Sequence, residues 1–153
     1  MPHIFASPAE LKAAVGQKFG PTEWLLVDQA RIDKFAEATG DFQWIHVDPE
    51  RAAAGPYGTT IAHGFLTLAL AALFLPQLIE VQGIKHGLNY GANKLRFPAP
   101  VRCGARIRGR GELLSAEDVD GGGVQVIIRL TIDVDDGDKP ACVVDKIARF
   151  YAA

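Results

Sequence analysis

The sequence predicts an α+β fold in which an antiparallel sheet covers one buried helix. Three observations carry this prediction. All helical patterns lie in the first half of the 153-residue chain, and strand-like segments then follow one another with only short turns between them. One helical segment, residues 65–75, is apolar on every side and therefore has to be enclosed by the rest of the fold.

The first half contains three start signals for helices. Ser7-Pro8-Ala9-Glu10 has the spacing of a capping box, with proline at the first helical position. Asp28 can cap a helix that ends at Gly40, and Asp48 followed by Pro49 starts the next one. Residues 21–27 are rich in strand formers, so we expect an extended segment there.

The apolar helix raises the question of a membrane span. Residues 59–79 carry no Asp, Glu, Lys or Arg and are long enough to cross a bilayer. Their densely apolar part is only residues 65–75, which His63-Gly64 precedes and Pro76 follows, and no cationic anchors flank it. We therefore expect a helix that is buried in the protein and stops at Pro76, and we expect no membrane partner.

The sequence of the second half of the chain predicts four strands, joined by turns that are rich in Gly, Pro and Asp. They are residues 87–97, with a bulge at Gly91, and residues 105–115, 124–134 and 143–151. The third is the clearest because its apolar residues alternate and so share one face: Val126, Ile128, Leu130, Ile132 and Val134. Short turns imply antiparallel pairing, and the lack of a linker or repeat implies one domain over residues 1–153.

Composition excludes several classes of protein. With 48% hydrophobic and 22% charged residues the chain is typical of globular proteins. Its net charge of -2, without long runs of Lys or Arg, argues against nucleic acid as a partner. Cys103 and Cys142 lie far apart, and no secretory signal pattern is present, so we expect reduced thiols and a cytoplasmic protein.

The pair Asp41 and His46 is the candidate for chemistry. A carboxylate and an imidazole lie five residues apart, between a helix that ends at Gly40 and one that begins after Asp48, so neither has much freedom to drift. The spacing alone is common by chance, and an Asp after a helix end is an ordinary turn residue. The pair therefore needs support from other segments.

Three segments together supply that support. Residues 35–48, 61–66 and 88–101 resemble the MaoC-like, (R)-specific enoyl-CoA hydratase family, and the third resembles the NodN-like branch in particular. The resemblance covers about residues 17–151 and implies the hotdog fold, a curved antiparallel sheet wrapped around a long central helix. The chain departs from many members at Gln43-Trp44, where they have Asn-Pro; these positions shape the loop, so the departure bears on substrate preference more than on activity.

The resemblance implies a lyase that adds water to trans-2-enoyl-CoA to give (R)-3-hydroxyacyl-CoA, or runs the reverse dehydration. Asp41 and His46 would bind the same water, with His46 as the base and Asp41 delivering or relaying the alpha proton. The backbone N–H of Gly64 would meet the thioester carbonyl at the start of the central helix. This reaction implies no cofactor beyond the coenzyme A of the substrate, an acyl-CoA or acyl carrier protein thioester as partner, and a homodimer.

Nine further residues are candidates for substrate binding. The aromatic ones could line an acyl channel or pack in the core, and the basic ones could meet the phosphates of coenzyme A or be solvated. His63 is expected chiefly to fix the turn at Gly64. A metal site from His46, Asp48 and His63 matches no recognised ligand spacing, so we expect no metal. The nine are Phe42, Trp44, Tyr57, His63, Phe65, Tyr90, Asn93, Lys94 and Arg96.

Two other functions fit the same fold. A hotdog subunit could bind an acyl thioester without catalysing a reaction, but such a subunit has no physical need for both Asp41 and His46. A hotdog thioesterase would instead hydrolyse the thioester and release free coenzyme A.

Overall fold

Helices occupy the first half of the chain, as the sequence predicts. The structure is a computed structural model that describes residues 1–153. It contains a 3-10 helix, Pro8–Ala14, and the α-helices α1 (Gln29–Thr39), α2 (Trp44–Val47), α3 (Pro49–Ala53), α4 (Gly64–Ala69) and α5 (Ala71–Leu78). None of these helices combines the length and the hydropathy that a membrane crossing requires.

Strands dominate the second half. They are β1 (His3–Phe5), β2 (Lys18–Phe19), β3 (Leu25–Leu26), β4 (Ile79–Val81), β5 (Ile84–Arg96), β6 (Arg106–Val119), β7 (Gly123–Val134) and β8 (Cys142–Ala152). The larger sheet is antiparallel, has the order β2-β6-β7-β8-β5, and also includes β3 paired with β6. A separate parallel pair joins β1 to β4. The predicted α+β class and antiparallel pairing are confirmed.

The helix formed by α4 and α5 packs on the inner face of the sheet. The alternating residues of β7 are buried, with exposures of 0–4% from Val126 to Val134, and Phe74 of α5 is fully buried. At Gly109 of β6, an added Cβ would lie 2.9 Å from the Cβ of Phe74. Glycine at this position lets the helix approach the strand closely, which places the core between the two layers.

The predicted end of the central helix at Pro76 is wrong. The helix breaks at Leu70 and then continues through Pro76 to Leu78. A proline removes one helical hydrogen bond, but Phe74 and Leu78 on either side of it are buried at 0% and 4% exposure. Burial of these two side chains stabilises a last turn that local propensity disfavours.

Three other element predictions need correction. Ser7 makes no side-chain capping bond; instead Glu10 accepts the N–H of Ala6 at 2.7 Å, and the segment is a 3-10 helix. Within residues 21–27 only Leu25–Leu26 pairs as a strand. The predicted strand 105–115 extends to Val119, because a bulge lets β6 stay in register with β7.

Candidate active site

A capped helix leads into Asp41, as predicted. The Asp28 carboxylate accepts the N–H of Arg31 (3.0 Å) at the start of α1. Gly40 ends that helix in the left-handed region, with φ of 80°. Asp41 then turns the chain, and its carboxylate accepts the N–H of Gln43 (3.3 Å).

The segment that follows is a helical turn and not a loop. His46 lies on α2, and just beyond it the Asp48 carboxylate accepts the N–H of Arg51 (3.1 Å) and caps α3. From α1, the side chain of Gln29 donates to the backbone carbonyl of His46 (2.7 Å). His46 is thus held by elements on both sides, and Asp48 is a cap as expected.

The backbone fixes the tautomer of His46, whose side chain is buried at 6% exposure. Nδ1 lies 2.7 Å from the carbonyl oxygen of Ile61, which can only accept, so Nδ1 carries the hydrogen. Nε2 keeps its lone pair and is free to take a proton. Burial lowers the pKa of His46 below its ordinary 6.5; the bond to Ile61 opposes this, His63 lowers the pKa further, and Asp41 raises it.

Three titratable side chains meet at this point. Atoms of Asp41, His46 and His63 that could bind a cation or a proton lie within 4.8 Å of one another. The rings of His46 and His63 stack with centroids 3.9 Å apart and planes at 22°. His63 Nε2 also donates to the backbone carbonyl of Asp41 (3.0 Å). Since Asp41 is exposed and the histidines are buried, solvent reaches the cluster from the carboxylate side.

The cluster suits a hydrogen-bonded water better than a metal ion. A histidine ligand aims its lone pair at the ion from within its own ring plane, at about 2.0–2.1 Å. The lone pairs of two rings stacked at 22° lie in separate, nearly parallel planes, an arrangement that does not suit convergence on one ion. Asp48, the third member of the metal set considered from the sequence, caps α3 instead.

Gly64 begins α4 beside a cavity of about 340 Å³ that Tyr57 and Phe97 also line. Its N–H enters no backbone hydrogen bond, as is usual at the first residue of a helix. The cavity adjoins the histidines, because Ile61 lines it and binds His46 through its carbonyl. A backbone N–H without a backbone hydrogen bond therefore lies at the edge of a cavity that adjoins Asp41, His46 and His63.

The predicted aromatic residues divide between this cavity and the surface. Tyr57 lines the cavity at 38% exposure. Phe65 and Phe42 are 65% and 58% exposed, and Phe65 meets Phe97 edge to face at a centroid distance of 6.1 Å. Trp44 lies under the guanidinium of Arg51, 4.2 Å from the ring centroid, on the corner between α2 and α3.

The predicted residues of β5 lie along the edge of the sheet, and none of them lines the cavity at Gly64. Tyr90 is 55% exposed beneath the guanidinium of Arg149, which is 3.6 Å from the ring centroid. Asn93 pairs with Asp145 and Arg96 with Val143, while Lys94 has a positive φ of 52°. A positive φ is rare for lysine and marks an irregular point of the strand.

Sequence reasoning missed two contributors to the site. Phe97 forms a wall of the cavity, and its only signal was its place in the third resembling segment. The contact between His63 and His46 depends on tertiary folding, although His63 could be noticed as the residue before Gly64.

An antiparallel sheet wrapped around a central helix, with a carboxylate and two histidines gathered near the helix start, defines a class of protein. This is the hotdog fold, as the sequence predicts. The fold and the site therefore place the chain among the hotdog proteins.

Comparison with known proteins narrows the class. A family model described as a MaoC like domain matches residues 10–134, and the chain belongs to this family of hotdog dehydratases and hydratases, which are lyases. The 3-hydroxyacyl-thioester dehydratase Z of Mycobacterium tuberculosis strain H37Rv is 52% identical over 148 residues, covering 97% of this chain and 98% of that protein.

Two further relatives agree with this assignment. Nodulation protein N of Rhizobium leguminosarum bv. viciae is 42% identical over 137 residues, covering 88% of this chain and 85% of that protein. The unliganded R-hydratase PhaJ1 of Pseudomonas aeruginosa superposes with a TM-score of 0.69 at 26% identity, covering 95% and 84% of the two chains. The predicted family and its NodN-like branch are confirmed.

Proposed function

We propose that the chain is an (R)-specific enoyl-CoA hydratase, which also catalyses the reverse dehydration of 3-hydroxyacyl thioesters. One observation carries the proposal: proton-binding atoms of Asp41, His46 and His63 lie within 4.8 Å of one another, and Gly64, the residue after His63, lines a cavity beside them. Addition of water to a conjugated thioester needs a base, a proton for the alpha carbon and a donor for the carbonyl oxygen. His46, Asp41 and the Gly64 N–H correspond in turn to these three needs.

The proposed reaction adds one water and leaves the enzyme unchanged. Nε2 of His46 takes a proton from a water that Asp41 orients, and the water oxygen bonds to the beta carbon of the enoyl thioester. The alpha carbon takes up a proton that Asp41 delivers or relays, and the proton on His46 replaces the one that Asp41 gives up. The Gly64 N–H meanwhile stabilises the enolate-like oxygen. The steps require neither a redox cofactor nor a metal, and coenzyme A enters only as part of the substrate.

The stereochemical part of the proposal has its own support. The residues that resemble the (R)-specific family include both proposed catalytic side chains, and a solved structure similar to this chain is titled an R-hydratase. Attack from the side of Asp41 and His46 would give one enantiomer, because both act from the same face of the bound enoyl group. Chiral chromatography of the hydrated product tests this directly.

The central experiment follows the absorbance of the enoyl thioester with the purified protein. We expect it to fall for crotonyl-, hexenoyl- or octenoyl-CoA, with an (R)-3-hydroxyacyl product. Absence of turnover on all three, and on the matching acyl carrier protein thioesters, would rule out the hydratase.

Two variants separate catalysis from binding. Asp41→Asn and His46→Gln keep the size of each side chain but remove the acid and the base. We expect each to lower kcat by at least about 10²-fold while acyl-CoA affinity changes little. If both retain wild-type turnover, the proposed catalytic pair is wrong.

The alternatives predict different results in the same experiment. A non-catalytic acyl-thioester-binding subunit would bind acyl-CoA without loss of absorbance, and a thioesterase would release a free thiol that reacts with a thiol dye. Intact Asp41 and His46 argue against the non-catalytic subunit, because such a subunit has no physical need for both.

We also propose that the protein is a cytoplasmic homodimer. β5 is a 13-residue strand at the edge of the sheet, almost all of its residues are exposed, and such an edge invites pairing with a second copy. Both cysteines are unpaired, as in proteins of a reducing compartment. The substrate assay, run with coenzyme A thioesters and with acyl carrier protein thioesters, decides which of the two carriers the enzyme uses.

A further inference from the structure

One buried side chain, His63, touches every part of the proposed catalytic centre. Its ring stacks on His46 and lies 4.9 Å from the ring of Phe35. Its Nε2 holds the backbone carbonyl of Asp41, and the next residue in the chain is Gly64, the proposed carbonyl donor. The residue is only 2% exposed, so these contacts are not those of a surface histidine.

The hydrogen bond of His63 determines which ring nitrogen carries the hydrogen. A carbonyl only accepts, so Nε2 carries the hydrogen and Nδ1 is left with a lone pair. That nitrogen is buried and has no hydrogen-bond partner. An unsatisfied buried nitrogen is costly, and a residue that only filled space would not require one.

We propose that His63 is a positioning residue of the active site: it fixes the backbone of Asp41 and, with its ring stacked on His46, shields one face of that imidazole from water and so keeps it available as the base. This inference rests on the proposed hydratase function. His63 acts through Asp41 and His46 and does not itself exchange a proton with the substrate. The N–H of His63 holds the backbone of Asp41, and the face of its ring covers His46.

The environment of His46 supports this assignment. Its ring is flanked by two titratable groups, Asp41 from the preceding turn and His63 from the start of α4. Asp33 reaches only the backbone of His46, through the side chain of Gln29. The largest cause of the lowered pKa of His46 is its burial. By covering one ring face, His63 also excludes water that would solvate the charged form.

Two substitutions at His63 separate the two tasks. His63→Phe keeps an aromatic ring on His46 but cannot donate to Asp41, so we expect kcat to fall on the order of tenfold to hundredfold with little change in the pH profile. His63→Asn keeps an amide donor but loses the stack, so we expect the acidic limb of kcat/KM to move to higher pH. His3→Gln, at an exposed histidine outside the site, is the matched control and should leave both unchanged.

An NMR measurement on the unmutated protein keeps the inference testable if a variant fails to fold. Nitrogen-15 shifts should show the hydrogen of His63 on Nε2 and that of His46 on Nδ1. A hydrogen on Nδ1 of His63, or variants that retain the wild-type kcat and pH profile, would overturn the inference. These shifts do not depend on turnover, so they test His63 even if the wild type proves inactive on every thioester and the proposed function fails.

Discussion

The lowered pKa of His46 has a direct consequence for the pH dependence of activity. A base works only when unprotonated, and burial shifts its protonation to lower pH than the ordinary 6.5. We therefore expect the acidic limb of kcat/KM to lie below 6.5, with activity retained in mildly acidic buffer. Initial rates from about pH 5 to pH 8 at constant ionic strength measure it. A limb at or above the ordinary value contradicts the role of His46 as a buried base.

Gly64 offers a second test at the scale of one residue. A Cβ at this position would lie 2.9 Å from the ring of Phe97, so Gly64→Ala pushes the ring into the cavity or displaces the N–H. We expect kcat for enoyl-CoA hydration to fall on the order of 10²-fold, the usual effect of losing one carbonyl donor. Gly137→Ala is the control, because nothing lies within 4 Å of that Cβ. Equal rates for the two variants would exclude Gly64 from the site.

The role of a residue could be predicted from the sequence where its hydrogen-bond partners are close to it in the chain. Asp28, Gly40 and Asp48 cap or end helices through neighbours three or four residues away, so their roles could be inferred without tertiary structure. The stack of His63 on His46 joins residues 17 positions apart in different elements, and no local pattern encodes it. Asp41 and His46 are an intermediate case. The sequence predicted the segment that contains them, but only the fold brings their side chains close together.

At the scale of elements, the contact between the central helix and β6 depends on glycine. Gly109→Ala would place a Cβ 2.9 Å from the Cβ of Phe74, which is fully buried and has no room to move. We expect a loss of about 1–3 kcal/mol in the free energy of unfolding, measured by urea denaturation. Gly111→Ala on the same strand meets no atom closer than the Leu78 side chain at 3.4 Å, so it should cost clearly less. Equal losses would mean that the close approach does not limit packing.

Helices and strands could be predicted from the sequence where the periodicity of the apolar residues matches the pattern of burial. The alternation on β7 was visible because one of its faces is entirely core, as Leu130 and Ile132 illustrate with 0% exposure. The end of α5 could not be predicted in the same way, because proline usually ends a helix and here packing around Pro76 overrides that tendency. The length of β6 was also underestimated, since a bulge carries it past Ser115 and bulges have no reliable local signal.

At the scale of the whole molecule, the exposed edge strand predicts assembly. Leu88 on β5 is 48% exposed, and an apolar residue on an open edge is expected to lie in an interface. Leu88→Lys should therefore shift the protein from dimer toward monomer in light scattering after gel filtration. Val15→Lys is the control, since Val15 is similarly exposed at 50% but lies away from β5. A wild-type protein that is monomeric, or a Leu88→Lys variant that stays dimeric, contradicts this interface.

The parallel pair of β1 and β4 has a practical consequence. It ties residues 3–5 to the strand that directly follows the central helix, and Ala153 donates to the carbonyl of Gly83 (2.9 Å) close by. Gly64 lies at the opposite end of that helix, about 20 Å away at 1.5 Å per residue. Affinity tags, fluorescent fusions or surface tethers attached before Met1 or after Ala153 should therefore leave the entrance beside Gly64 open.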